Sequence, residues 1–290
     1  MRNIGSDMID ARTIIGAVTL NVANLERMVA FYREMVGLQV RAQSAHDATI
    51  GTASRALLHL NYLPNGRHQP YTCGLYHLAL RVPSRTILAN WFCHYIRCGS
   101  PNWQGASDHG VSEAIYFSDP EGNGIEIYRD CPRTRWQVAA DGGITVYAHM
   151  LDLPALLRDG DASAWYGMVD ETDIGHVHLK VADIKVAKHF YVDTLGFETT
   201  TEVAPSALFV AAGVYHHHIG LNTWHSRGAA PAPADARGLA CFELMLPCES
   251  AQESIVNSLR KVDYHFERYT DRVHVRDPFG IAIVLRVPEA

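Results

Sequence analysis

The sequence has little of what would place it outside ordinary globular proteins. Only 19% of its 290 residues are charged, and 25 Lys and Arg against 31 Asp and Glu leave a net charge of −6. That sign argues against a polyanionic partner, so no nucleic acid is expected. No apolar run approaches the roughly 18 residues that a membrane helix needs. The opening MRNIGSDMIDA has no apolar stretch of a secretory signal, so no membrane contact is expected and the cytoplasm is the expected compartment. Cysteine is sparse. The six, at 73, 93, 98, 131, 241 and 248, include no C-x-x-C pair, and a disulfide framework is not expected in a chain of this length without an export signal. What is plentiful is apolar residues, at 48%, and histidine, at 16. The first implies a packed globular chain of one large or two ordinary domains. The second directs attention to metal ligation and to acid–base chemistry near neutral pH.

The chain repeats itself. IIGAVTLNVANLERMVAFYREMVGLQV at 14–40 is matched by DIGHVHLKVADIKVAKHFYVDTLGFET at 173–199. Gly16, Val22, Phe31, Tyr32 and Gly37 meet Gly175, Val181, Phe190, Tyr191 and Gly196 at one constant offset. A second pair, GLYHLALRVP at 74–83 and GLACFELMLP at 238–247, is followed in both copies by a helical stretch, around 84–97 and 249–261. Both copies then close on a strand and turn in which Asp119-Pro120 and Gly122 answer Asp277-Pro278 and Gly280. Four units of about 50–60 residues result, starting near 14, 74, 174 and 239. Period-two alternation in VHLKV and LALRV predicts strands. The spacing of Val186, Phe190 and Tyr191 predicts an amphipathic helix. Residues 132–172 read as a linker, with Asp-Gly-Gly at 141–143 and a short helix near 152–158. The Ala/Pro-rich stretch from Arg227 to Arg237 reads as a surface loop.

Four consecutive βαβββ units resemble the vicinal oxygen chelate superfamily, which includes extradiol ring-cleaving dioxygenases, glyoxalase I and thiol transferases acting on fosfomycin. His176-Val-His-Leu-Lys-Val-Ala-Asp183 and Phe190-Tyr191…Leu195-Gly196-Phe197 resemble the start of its units. A second stretch resembles the type I extradiol dioxygenases, the class of catechol 2,3-dioxygenases. It runs His109, GVSEA, Ile115-Tyr116, Phe-Ser, Asp119-Pro120-Glu-Gly122, Asn-Gly-Ile, Glu126, and only Ser107 departs from the usual choices. The resemblance covers about 14–131 and 173–287. It implies an α+β fold whose four βαβββ units form two domains with open barrels of mixed sheet. These are an N-terminal domain at 1–131 and a C-terminal domain at 173–290, either side of the linker.

The superfamily takes metal ligands from the first and last strands of its units. The first-strand positions here are Ala17, His77, His176 and Cys241, and the last-strand ones lie near His59 and at Glu126, Ile219 and 281–284. His77, Glu126 and His176 alone have the right chemistry. Two imidazoles and one carboxylate suit non-heme Fe(II), with Mn(II) as the substitute. Such a site has to bridge units two and three, within one chain or between chains. With Ile219 as the ligand-equivalent position on the last strand of unit three, period-two alternation turns His217 into the cavity and His216 away from it. The family places an acid–base histidine there, with His216 the runner-up. His109 and Tyr116 are further catalytic candidates as donors to a substrate oxygen, and His178 is a candidate to orient a ligand or dioxygen. Asp119-Pro120-Glu-Gly122 reads as a turn and not as chemistry. The implied activity is extradiol cleavage of a small aromatic diol by O2 to a 2-hydroxymuconic semialdehyde-type product. The alternative is a glyoxalase-like metal-dependent lyase or isomerase, whose fourth protein ligand, often a Glu, is missing at Ile219. A third reading is a metal-free binding protein. Oligomeric state is open between a monomer and a homo-oligomer.

Overall fold

The structure is a computed structural model that describes residues 8–138, 143–161, 163 and 165–288. The first seven residues and the Asp141-Gly142 of the linker turn lie outside the described residues. Unit one holds β1 (Ile14–Val22), α1 (Leu25–Phe31), β2 (Gln39–Gln43), β3 (Asp47–Gly51) and β4 (Ala56–Tyr62). Unit two holds β5 (Gly74–Arg81), α2 (Arg85–Arg97), β6 (Trp103–Asp108), β7 (Ser112–Ser118) and β8 (Gly124–Asp130). The linker carries β9 (His149–Met150) and α3 (Leu153–Arg158). Unit three holds β10 (Asp173–Lys180), α4 (Ile184–Lys188), β11 (Glu198–Val203), β12 (Ala207–Ala211) and β13 (Ile219–Asn222). Unit four holds β14 (Gly238–Met245), α5 (Glu249–Lys261), β15 (Phe266–Arg268), β16 (Arg272–Arg276) and β17 (Ala282–Arg286). The four βαβββ units stand where the repeats place them. Among the described residues no helix is long and apolar enough to cross a membrane.

Local chemistry sets the helix starts. Asn24, Ser84, Asp152 and Asp183 each accept a hydrogen bond from a backbone N–H of the first turn that would otherwise lack a partner. α1 and α4 widen into i→i+5 turns at Tyr32–Val36 and His189–Thr194. Gly37 and Gly196 then take φ of +87° and +85°, which lets the chain reverse into the next strand. The Asp-Pro turns have a second use. The Asp119 carboxylate accepts backbone N–H groups of its own turn and also the Tyr32 hydroxyl at 3.0 Å, and Asp277 does the same with Tyr191. These buried bonds join unit one to unit two, and unit three to unit four.

Two curled mixed sheets result. Within every unit the first strand pairs in parallel with the unit's own last strand, which leaves its other edge free. A free edge of that kind must be paired or covered. β1 pairs antiparallel with β14, and β5 with β10. An eight-stranded sheet is thus built from units one and four, and a nine-stranded sheet from units two and three with β9 at its edge. The halves 1–131 and 173–290, read along the chain as domains, are therefore not what the sheets are built from. Each sheet takes one unit from each half, and units two and three pair within one chain. The apolar faces of both sheets and of the helices share one core, in which Leu20, Met28, Trp91, Leu78, Val177, Leu221 and Phe242 are fully buried.

This pairing has a testable consequence. Residues 1–131 and 173–290 produced separately each carry two first strands whose partners are missing. Neither half should show the cooperative thermal unfolding of the whole chain by circular dichroism, and refolding the two together should restore it. A half that unfolds alone with the transition of the full chain would show that its units can re-pair without the other half.

Candidate metal centre

The nine-stranded sheet curls around a cleft of about 880 Å³. β5 and β10 cross its floor, and two irregularities decide which side chains face it. Along β10, Ile174 lies in the core, and so do Val177 and Leu179. Strict alternation cannot bury both sets on one face. The register slips at Gly175, between Ile174 and His176, and this bulge turns His176 and His178 to the cleft. Gly175 has to lack a side chain, because a Cβ there would lie 1.8 Å from the Tyr128 hydroxyl. A second slip, between His77 and Leu75 on β5, puts Tyr76 on the cleft beside His77. On β8, Glu126 faces the cleft while Ile125 and Ile127 join the core. Gly124 lets β8 approach β5, since a Cβ there would stand 2.2 Å from the Tyr76 carbonyl.

His77, Glu126 and His176 meet on this floor, each nine-tenths or more buried. Glu126 Oε2 lies 2.9 Å from His77 Nε2 and 3.1 Å from His176 Nε2, and the two nitrogens are 3.4 Å apart. With metal bonds of about 2.1 Å, neighbouring donors around one ion lie about 3.0–3.4 Å apart, between octahedral and tetrahedral angles. The triangle therefore fits one cation. The donor chemistry fits as well. Burial pushes the Glu126 carboxyl up, but the flanking imidazoles outweigh it and hold the group well below the carboxylate range, so it is an anion. Burial pushes His176 down to about 4, against the pull of Glu126, so it is a neutral ligand.

The sequence reading placed His217 on the cleft by strand parity from Ile219. The structure corrects that argument. β13 begins only at Ile219, and His216-His217-His218 lie in the turn before it. Ile219 and Leu221 point into the core, and the residue of β13 facing His178 is Gly220. His217 nevertheless lines the cleft, with its ring 4.2 Å from that of His176. His216 is fully buried behind it.

A hydrogen-bond chain holds this pair. His216 Nε2 is 2.9 Å from Asp130 Oδ1, and its Nδ1 is 2.8 Å from His217 Nδ1. Burial pushes the Asp130 carboxyl up, but His216 and Arg81 outweigh it and hold the group ionised and accepting. His216 therefore donates from Nε2. Its Nδ1 pairs with His217 Nδ1, which leaves His217 Nε2 without a partner in this chain of bonds. Burial, then the neighbouring histidines His176 and His216, hold His217 well below its usual range and so neutral. Tyr215 and Arg81 also bond Asp130, and Tyr128 bonds Tyr215 at 2.8 Å.

Across the cleft, His109 Nδ1 is 2.6 Å from the Tyr147 carbonyl, and its Nε2 is 2.8 Å from the Tyr116 hydroxyl. The carbonyl can only accept, so His109 donates to it from Nδ1, and its Nε2 is left to pair with the Tyr116 hydroxyl. His109 thus has no free donor for a substrate oxygen and acts through Tyr116. Burial and the Glu126 charge push the Tyr116 hydroxyl well above its usual range. His178 accepts from Asn222 Nδ2 at 3.0 Å and sits within a wall of Tyr76, Phe209 and Trp224. The sequence reading missed Asp130, Asn222 and this wall. Asp130 carries a visible signal, being four residues beyond Glu126 and so on the same strand face. Trp224 and Asn222 carry none.

A family model described as the glyoxalase/bleomycin resistance protein/dioxygenase superfamily matches residues 14–127. The chain is 38% identical over 276 residues to the catechol-2,3-dioxygenase of Bacillus subtilis (strain 168), covering 94% of this chain and 96% of that one. The fold is shared with a putative dioxygenase from Bacillus subtilis at a TM-score of 0.63 and 11% identity, covering 99% of this chain and 87% of that one. It is also shared with glyoxalase I from Zea mays at 0.56 and 15%, covering 95% and 92%.

The wall around His178 generates one prediction. A methyl group on Gly220 would stand 2.9–3.0 Å from the His178 ring. Gly220→Ala should therefore cost about 1–3 kcal/mol by chemical denaturation and detach His178 from Asn222. Unchanged stability would mean that the ring swings aside freely.

Proposed function

The chain belongs to the glyoxalase/bleomycin resistance protein/dioxygenase superfamily, and from that premise we propose that it is a non-heme Fe(II)-dependent extradiol dioxygenase. It takes a catechol-type substrate and O2 and releases a 2-hydroxymuconic semialdehyde-type product. The observation that carries this reading is the triangle of His77, Glu126 and His176 with the His217 ring beside it on a cleft lined by aromatic rings. Two imidazoles and one carboxylate suit Fe(II) and leave coordination positions for other ligands, and Mn(II) fits the same donors. Held by His77, Glu126 and His176, such a metal would supply Lewis acidity and a path for electrons between the diol and O2.

The residues of the chain supply the rest. His217 accepts a proton from the diol at Nε2 as the substrate binds. Asp130, through His216, steadies the imidazolium so formed. The same proton is then available at Nε2 for return to a product oxygen. Tyr116 holds its hydroxyl beside the substrate oxygens, oriented by His109. His178 and the surrounding rings exclude water from the face where O2 reacts. The glyoxalase-like reading asks for a fourth protein ligand, often a Glu. Among the described residues Glu126 is the only carboxylate lining the cleft, and the strand that would supply another presents Gly220 and Asn222.

Two measurements test this. After anaerobic loading with Fe(II), His77→Ala, Glu126→Ala and His176→Ala should each bind at least tenfold less iron by metal analysis, with unchanged far-ultraviolet circular dichroism. Full iron occupancy in one of them removes that residue from the ligand set. His217→Gln should keep its iron and its affinity for catechol while turning over about 10²–10⁴-fold more slowly, followed by oxygen uptake and the yellow ring-cleavage product. Unchanged turnover would take the acid–base role away from His217.

A further inference from the structure

Near its mouth the cleft holds a cation that no carboxylate neutralises. Lys180 lies on β10 two residues beyond His178 and four beyond His176, so all three share the cleft face. Four residues of strand put its Cα about 13 Å from that of His176. The residue is half-buried, and its one hydrogen bond, at the surface, is to the Pro70 carbonyl at 2.8 Å. No carboxylate of the described residues forms an ion pair with it, and burial lowers its pKa, eased only by Cys73. Holding a lysine ammonium partly out of water without a counterion is costly, so such a site favours a ligand that brings one.

Two further cations, Arg67 and Arg237, stand nearby, each with an acidic partner. His68, also on the cleft lining, has its pKa lowered by burial and then by the charges of Arg237 and Lys180. Arg237 has a buried Nε without a partner. Its one ion pair, to Glu121 at 3.9 Å, is long, and both oxygens of Glu121 already accept backbone N–H groups of residues 23 and 24. The mouth is also held in place. Arg67 and Arg237 exchange backbone bonds with the loop opposite, Arg67 pairs with Asp235, and Cys73 N–H donates to the Ala230 carbonyl.

We infer that this cleft selects catechols bearing an anionic substituent, and that Lys180 is the group that recognises the anion. This rests on the ring-cleaving reading given above. A ring whose two oxygens meet the metal triad directs its far carbons toward the mouth, so a carboxylate on a short side chain arrives at Lys180.

The test compares 3,4-dihydroxyphenylacetate, 3,4-dihydroxybenzoate and neutral 4-methylcatechol on the Fe(II)-loaded full chain. Anaerobic dissociation constants are read from tryptophan fluorescence, and kcat/KM from oxygen uptake. The wild type should prefer at least one carboxylate over the methyl compound. The ratio of their affinities should fall about tenfold or more in Lys180→Met and be retained in Lys180→Arg. A purely structural lysine would move all three ligands alike and leave that ratio unchanged, which overturns the inference, as does a wild type that binds 4-methylcatechol as well as either acid. If ligands bind with the expected ratio but none is cleaved, the dioxygenase reading fails and the anion site stands. If all three are cleaved with equal kcat/KM, the reverse holds.

Discussion

The antiparallel pairing of β5 with β10 is the constraint from which the candidate centre follows. It sets His77 of unit two directly opposite His178 of unit three and carries His176 within reach of Glu126. Neither unit holds all three donors. The pairing also satisfies the open edge that each unit's first strand would otherwise expose. One physical requirement, the pairing of backbone groups along that edge, thus completes both the sheet and the site. The equivalent pairing of β1 with β14 sets Cys241 opposite Thr19, and no metal-binding cluster forms there among the described residues. The molecule has two half-barrels of the same design, and among the described residues one cluster that could hold a metal.

Within that frame, small departures from regular sheet do the placing. A strict β10 would bury either Ile174 or Val177 on the wrong face, and Gly175 resolves the conflict by taking an extra residue into the ladder. The same glycine makes room for the Tyr128 hydroxyl. Behind the floor, Asp130, His216 and His217 form a hydrogen-bonded chain that starts from a carboxylate that can only accept. Such a chain orients the histidine facing the cleft without any group on the cleft side having to do so.

The charge of the cleft is graded along its length. The floor combines one carboxylate with neutral imidazoles, the middle is aromatic, and the mouth carries Lys180 with Arg237 and His68 behind it. The grading follows the face of a single strand, since His176, His178 and Lys180 are successive cleft-facing residues of β10. A net charge of −6 for the whole chain says nothing of this. Among the described residues no carboxylate forms an ion pair with Lys180 on this lining, while Arg67 and Arg237 beside it pair with Asp235 and Glu121.

The sequence by itself determined the four units, their strand and helix order and the three donor residues. These are local matters. The Phe-Tyr pairs at 31–32 and 190–191, the Asp-Pro turns and the capping residues Asn24, Ser84 and Asp183 act over a few residues, and a repeat prints them twice. Tertiary structure alone decided which unit pairs with which, because an open strand edge is the same backbone in all four units and carries no address in its residues. It also decided which face His217 presents. Alternation counted back from Ile219 failed there, since the chain leaves the strand before residue 219 and Ile219 belongs to the core. Asp130 behind His216, Asn222 on His178 and the Tyr147 carbonyl that occupies His109 come from distant stretches of chain. Side-chain tautomers and partners of that kind depend on packing in three dimensions, and no spacing along one dimension encodes them.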